Sequence, residues 1–474
     1  MDDVHYLSAT EAIRCFRART LSPVELMEAV ITRSEAVDGR VNALPVRFFD
    51  EALSAARRAE ARYSGKGSRP RPLEGIPVAV KEETPVAGQP WTQGSLVYRD
   101  AVADHTAVCV DRVIRAGGIV HARSTAPEFS CTAYTHSRLW GVTRNPWNRR
   151  YSCGGSSGGS GAALASGTAT LATGSDIGGS IRIPASFCGV VGFKPPYGRV
   201  PEEPPFNLDH WCHEGPMART VADCALLENV MAGPHPSDVA SLRPKLRIPA
   251  RLAGIEGWRI ALSRDLGGFR IDRDVARNLD EAADAFRAAG AIVEEVDLGW
   301  EHREIIEAAQ IHFGTIFSAL LAEEVRRHPE LVTPYVAEFA RLSRRVRKGD
   351  FTRGLELEGR VYERLGPVLE RHRVLICPTM PLPALRAGDD YLDHGPVVGG
   401  VRLESSWEIL TTAAFNICSR CPVMSVPSGL ARNGVPTGVS IVGRTYDDVS
   451  VFRAAAAYER VSPWLHVPER RPTL

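Results

Sequence analysis

Two serines and one lysine are the residues of this chain best placed to do covalent chemistry, because each sits in unusual surroundings. Ser156 lies in Gly154-Gly155-Ser156-Ser157-Gly158-Gly159, and Ser180 in Asp176-Ile177-Gly178-Gly179-Ser180-Ile181-Arg182. Both belong to a run from Gly154 to Ala185 that is nearly free of charge and bulk. So much glycine costs conformational entropy and packs nothing, which suggests backbone left bare for close approach. A serine hydroxyl is a weak nucleophile until a neighbour takes its proton, so the pair are candidates for a nucleophile and its proton-handling partner. Plainer readings exist: a loop or helix N-cap at Ser156, and a glycine turn between strands at Ser180. In the functional reading, the successive N–H groups of residues 177 to 180 converge and hold an oxyanion. Asp176 and Arg182 bracket that turn and read as a buried brace rather than as reacting groups.

Lys81 ends the apolar run Gly75-Ile76-Pro77-Val78-Ala79-Val80. Burial at a strand end disfavours an ammonium, and a neutral amine can accept a proton. The alternative is an ion pair with Glu82 or Glu83 at a sheet edge. Lysine is scarce: Lys66, Lys81, Lys194, Lys245 and Lys348 are the full set. Arginine carries the rest of the positive charge and cannot act as a base. Gly154 to Gly158 also matches the G-x-S-x-G elbow, but that elbow follows a strand, whereas Asn145 to Arg150 is a polar, turn-rich loop. No lysine follows the glycines as a phosphate-binding loop requires.

The elements that must position these groups alternate. Helices fill the first 65 or so residues, one announced by the capping order Ser22-Pro23-Val24-Glu25, and a polar loop at 65–70 closes this arm. Strand Ile76–Val80, helix Thr106–Arg115 and strand Ile119–Ala122 follow, then the small-residue helix Ser160–Ser166 and strand Ala169–Thr173. Strand Arg259–Ser263, helix Arg273–Ala288 and strand Ala291–Val296 make another unit. A helical stretch covers about 300–372, with strands at Val374–Cys377, Val423–Val426 and Gly438–Val442 and a last helix from Asp448 to about Tyr458. This alternation predicts a single α/β domain with a mostly parallel or mixed sheet.

The run Gly155 to Ser160, continued by Gly174-Ser175-Asp176-Ile177-Gly178-Gly179-Ser180-Ile181-Arg182-Ile183-Pro184-Ala185, resembles the amidase signature in residues and spacing. Other blocks resemble the same family: Pro72 to Lys81, Asn145-Pro146-Trp147, Gly215 to Val221, Cys377 to Pro381, and Pro436 to Arg444. The resemblance runs from about residue 8 to 460. It implies the amidase signature fold, α/β, with a large mixed sheet covered by helices on both faces. Within one domain over 1–474 it implies a helical arm (1–70), a catalytic core (71–235), a helical segment (300–372) and a C-terminal part of the core (373–460). It further implies a Ser–Ser–Lys triad: Ser180 as nucleophile, Ser156 (on a cis peptide) as relay, and Lys81, neutral in the free enzyme, as base. Backbone at Ile177, Gly178, Gly179 and Ser180 would form the oxyanion hole, and Asp176, Arg182 and Ser157 would support the site. Phe129 and Cys131 would contribute to the acyl pocket. No metal or cofactor is required.

The implied reaction cleaves a carboxylic amide to an acid plus ammonia or an amine. The rival within the family is the A-type catalytic subunit of an amidotransferase or multi-subunit hydrolase, which delivers ammonia to a partner. A non-enzymatic scaffold is disfavoured because Lys81, Ser156 and Ser180 are all intact. The chain departs from the usual pattern at Glu82 (commonly aspartate), at Ser175 (commonly threonine), and at Arg123-Ser124-Thr125 (often Lys-Thr-Asn), the last near the acyl pocket of relatives.

Bulk properties narrow the setting. The net charge is +1, with 57 basic against 56 acidic residues and no basic block, which disfavours nucleic-acid or anionic-membrane partners. The start MDDVHYLSATEAI lacks a secretory pattern, and no stretch of ~18 apolar residues occurs, so a cytoplasmic protein without a membrane partner is expected. Ten scattered cysteines read as reduced thiols, and the lone CxxC at Cys418–Cys421 as coincidence. A small-molecule amide as substrate and a homodimer are compatible with all of this.

Overall fold

The computed structural model describes residues 3–65, 68–465 and 467–474, so Lys66 and Gly67 of the loop at 65–70 lie outside the described residues. Eleven strands form one sheet: β1 (Val46–Arg47), β2 (Pro77–Lys81), β3 (Ile119–Ser124), β4 (Leu171–Ser175), β5 (Val191–Lys194), β6 (Glu214–Ala218), β7 (Arg259–Leu262), β8 (Ile292–Glu295), β9 (Val374–Pro378), β10 (Val423–Leu430) and β11 (Pro436–Gly443). Their spatial order is β1-β3-β2-β4-β6-β5-β10-β11-β9-β7-β8. Parallel pairing joins β3, β2 and β4 at one end and β9, β7 and β8 at the other. The strands between pair antiparallel, as does β1 with β3. The sheet is therefore mixed, one of the two forms the alternation of elements predicts, and large, as the family resemblance implies.

Side-chain alternation sends successive strand residues into different layers. Val78 and Val80 join a core built with helices Ala9–Ala18, Val108–Arg115, Val221–Met231, Arg273–Ala288 and Asp448–Val461. Ala79 and Ala172 face the opposite layer, where the small residues of Gly158–Ser166 and Arg182–Cys188 pack. Leu375 and Cys377 face helices His302–Thr315 and Asp350–Arg371. Helices thus cover both faces of the sheet.

The capping order at Ser22 does what its chemistry predicts. Ser22 accepts from the Glu25 N–H at 3.1 Å and donates its own N–H to Glu25 Oε2 at 2.7 Å, opening helix Pro23–Val41. Helix Gly158–Ser166 is buried along its whole length. It lies so close to the loop after β3 that a Cβ on Gly159 would sit 2.2 Å from the Thr125 nitrogen. Bare backbone is a packing requirement there. Among the described residues no single helix is long and apolar enough to cross a membrane. The bent pair His302–Thr315 and Phe317–Arg327 would qualify only by joint length and composition.

Candidate active site

Lys81 stands at the C-terminal end of β2, its side chain fully buried. Its Nζ lies 2.7 Å from Ser156 Oγ, 2.7 Å from Ser175 Oγ and 2.7 Å from Glu83 Oε1. Three polar oxygens thus surround one Nζ. Of the two acidic neighbours, Glu83 makes the ion pair. Burial pushes its carboxyl up, but the adjacent Lys81 outweighs that and holds it below the usual carboxylate range. Glu83 also accepts from Ser175 Oγ. Glu82 turns away and accepts from Thr92 Oγ1 at 2.7 Å and from the Gly94 N–H at 3.0 Å.

Arg123 fixes this strand end. Fully buried, it donates to the carbonyls of Lys81 (3.0 Å), Glu82 (3.1 Å) and Thr84. None of Arg123, Ser124 and Thr125 lines either of the two cavities beside the serines. Arg123 points to the carbonyls behind Lys81, and Ser124 shares a hydrogen bond with Ser160.

Ser156 precedes the bare helix, on the loop that carries the Gly155–Ser156 cis peptide bond. Ser157, next to it, donates its N–H to the Ser180 carbonyl at 3.1 Å, tying the two serine segments together. Its Oγ bridges the backbone of Ser175, accepting from the N–H and donating to the carbonyl, both at 3.3 Å. The Ser180 hydroxyl is slightly exposed and hydrogen-bonds no protein group among the described residues.

The turn before Ser180 is held by a closed polar cluster. Asp176 receives Arg182 Nε at 2.9 Å and Nη2 at 2.8 Å, Asn416 Nδ2 at 2.9 Å and the Ile181 N–H at 3.2 Å. Burial alone would raise its pKa, but Arg182 wins and holds the carboxyl far below the usual range. Gly179 takes φ +126°, and a Cβ there would lie 2.2 Å from Thr412 Oγ1. Its N–H donates to Asp176 Oδ1 at 2.8 Å, so in this structure Gly179 shapes the turn and does not present a free donor. The N–H groups of Ile177, Gly178 and Ser180 have no protein acceptor among the described residues.

Two cavities meet at the serines. One, of about 140 Å³, holds Ser180, Ile177 and Gly178 on one side and Phe313, Phe317, Phe339, Tyr335, Tyr391 and Trp407 around it. Cys131 lies on this wall. Phe129, paired with it in the sequence reading, lines the other cavity, of about 370 Å³, which Ser156 also touches. The aromatic wall escapes sequence reasoning, because apolar residues at helical spacing look like ordinary core.

Sequence comparison agrees with this architecture. A family model described as Amidase matches residues 25–452, so the chain belongs to the amidase family. It is 33% identical over 471 residues to an acylamidase of Rhodococcus erythropolis, covering 98% of this chain and 97% of that one. It is 31% identical over 484 residues to the A-type subunit of the glutamyl-tRNA(Gln) amidotransferase of Geobacter metallireducens, covering 94% and 96%. The structure of a bacterial aryl acylamidase of the amidase signature family superposes with a TM-score of 0.91 at 30% identity, covering 99% of this chain and all of that one. The chain is a hydrolase of carbon–nitrogen bonds other than peptide bonds.

Proposed function

We propose that the chain cleaves carboxylic amides through a Ser180 acyl-enzyme, with Ser156 as relay and Lys81 as base. The observation that carries this reading is the 2.7 Å contact between Lys81 Nζ and Ser156 Oγ, beside a segment tied to Ser180. Ser180 Oγ attacks the carbonyl carbon while its proton passes to Ser156, whose own proton passes to Lys81 as a free amine. The N–H groups of Ile177, Gly178 and Ser180 receive the oxyanion, each worth about 3 kcal/mol in comparable sites. Glu83 steadies the ammonium that forms on Lys81, as the carboxylate of a Ser-His-Asp triad steadies its imidazolium. Ser156 then protonates the leaving nitrogen, the C–N bond breaks, and water releases the acid by the same relay in reverse.

The aromatic wall beside Ser180 favours an apolar acyl group, in line with the acylamidase and aryl acylamidase relatives. Free thiols at all ten cysteines suit a reducing cytoplasm. An activated phosphonate should label Ser180 in the wild type and leave Ser180→Ala unlabelled, and that variant should lose amide turnover while keeping its Tm. Turnover retained in Ser180→Ala sinks the assignment. The similarity to the A-type amidotransferase chain supports a second reading, in which a partner receives ammonia; inactivity of the isolated chain towards all amides, cured by a co-purified partner protein, would select it.

A further inference from the structure

The larger cavity is chemically unlike the aromatic one. Its wall includes Glu83, Glu202, Glu203 and Glu214, and among the described lining residues there is no lysine or arginine. Its basic side chains are two histidines. His105 already spans Asp104 and Glu203, at 2.7 Å each. His213 is buried, hydrogen-bonded to the Asp176 carbonyl, and burial drives its pKa down to about 3, so it stays neutral.

Glu214 is the informative member. It sits on β6 directly across from Ser175 of β4, so the two side chains share one sheet face next to Lys81 and Glu83. The residue is 6% exposed, yet among the described residues its carboxyl makes no hydrogen bond or ion pair, and Oε2 is fully enclosed. Such a group is costly unless something pairs with it. Burial and the neighbouring carboxylates push both Glu214 and Glu202 upward, Glu202 to about 8. An incoming cation is the partner that would let these acids ionise. Trp91, Phe129, Phe206 and Phe317 add aromatic faces that suit a cation as well.

Position tells which half of the substrate comes here. Resting on the reading above, the group that protonates the leaving nitrogen is Ser156, and Ser156 lines this cavity while Ser180 lines the other. The acyl half therefore lies among the aromatic residues, and the amine half runs past Ser156 towards the glutamates. We propose that this cavity, with Glu214 and Glu202 as its specificity-determining residues, selects amides whose amine half carries a positive charge.

Three benzamides of matched length test this: N-(4-aminobutyl)benzamide, neutral N-pentylbenzamide and anionic N-(3-carboxypropyl)benzamide. The wild type should favour the first over the second in kcat/KM by about tenfold or more, mainly through KM, with the third poorest. Glu214→Gln and Glu202→Gln should each reduce the cationic-to-neutral ratio several-fold, and their Tm values certify folding. Calorimetry with 1,4-diaminobutane supplies a readout free of turnover: binding to the wild type, weakened several-fold in Glu214→Gln. No cationic preference in the wild type, a ratio unmoved in both variants, or no diamine binding would overturn the proposal. Failure of Ser180 labelling would instead refute the catalytic reading, and diamine binding would still decide this one.

Discussion

Among the residues of the site, Glu83 is the one whose role the sequence leaves most open. The chain offers two adjacent carboxylates after Lys81, and nothing in composition or spacing tells which turns inward. Thr92 and Gly94 settle it by capturing Glu82, leaving Glu83 to approach Lys81 at 2.7 Å. A carboxylate so placed stabilises the ammonium that proton transfer creates on Lys81. Removing its charge in Glu83→Gln makes the ammonium harder to keep. In that variant kcat/KM should therefore fall about tenfold or more with loss of a charge-assisted hydrogen bond. Turnover measured beside Tm checks this, and an unchanged kcat/KM in the folded variant would assign Glu83 a merely structural part.

At the scale of elements, legibility follows local signal. Strand Pro77–Lys81 and helix Arg273–Ala288 are readable because apolar periodicity and caps coincide there with tertiary packing. Strand Glu214–Ala218 is not, since Glu-Gly-Pro-Met-Ala has poor strand propensity. It forms because β4 pairs along its length, while β5 reaches only Ala218 and Met217 and so meets no proline. The acidic cavity is invisible with it, for Glu214 gains meaning only from its register with Ser175. The glycine turn shows the reverse case, in which the sequence marks the place and the structure supplies the reason. In Gly179→Ala the new Cβ collides with Thr412, whose hydroxyl donates to the Gly178 carbonyl at 2.6 Å, and φ +126° is itself strained for alanine. The turn should open enough to misplace the N–H groups of Gly178 and Ser180. We expect kcat to fall at least about 100-fold, the cost of one oxyanion donor, measured beside Tm to separate catalysis from unfolding.

Across the whole molecule, buried acids recur away from the site, and they set how stability responds to pH. Glu228, in helix Val221–Met231, is 2% exposed, and neither carboxyl oxygen has a hydrogen-bond partner among the described residues. Burial, with the nearby Asp448 carboxylate adding to it, raises its pKa from 4.5 to about 8. Arg199, committed to both oxygens of Asp448 at 2.9 Å, and Lys245 offset only part of this. Between these two values the folded chain holds a proton on Glu228 that the unfolded chain has released. The linkage therefore favours the fold fully below about 4.5, and this advantage disappears as pH rises through about 8. Each unit of the shift corresponds to about 1.4 kcal/mol, so the loss amounts to a few kcal/mol at most. Glu228→Met removes the titrating group at similar volume. Relative to the wild type, its unfolding free energy from urea titration should be clearly higher at pH 8.5 than at pH 5.5. An equal difference at the two pH values would show that Glu228 enters the fold already ionised, with a partner that this arrangement of Arg199 and Asp448 does not provide.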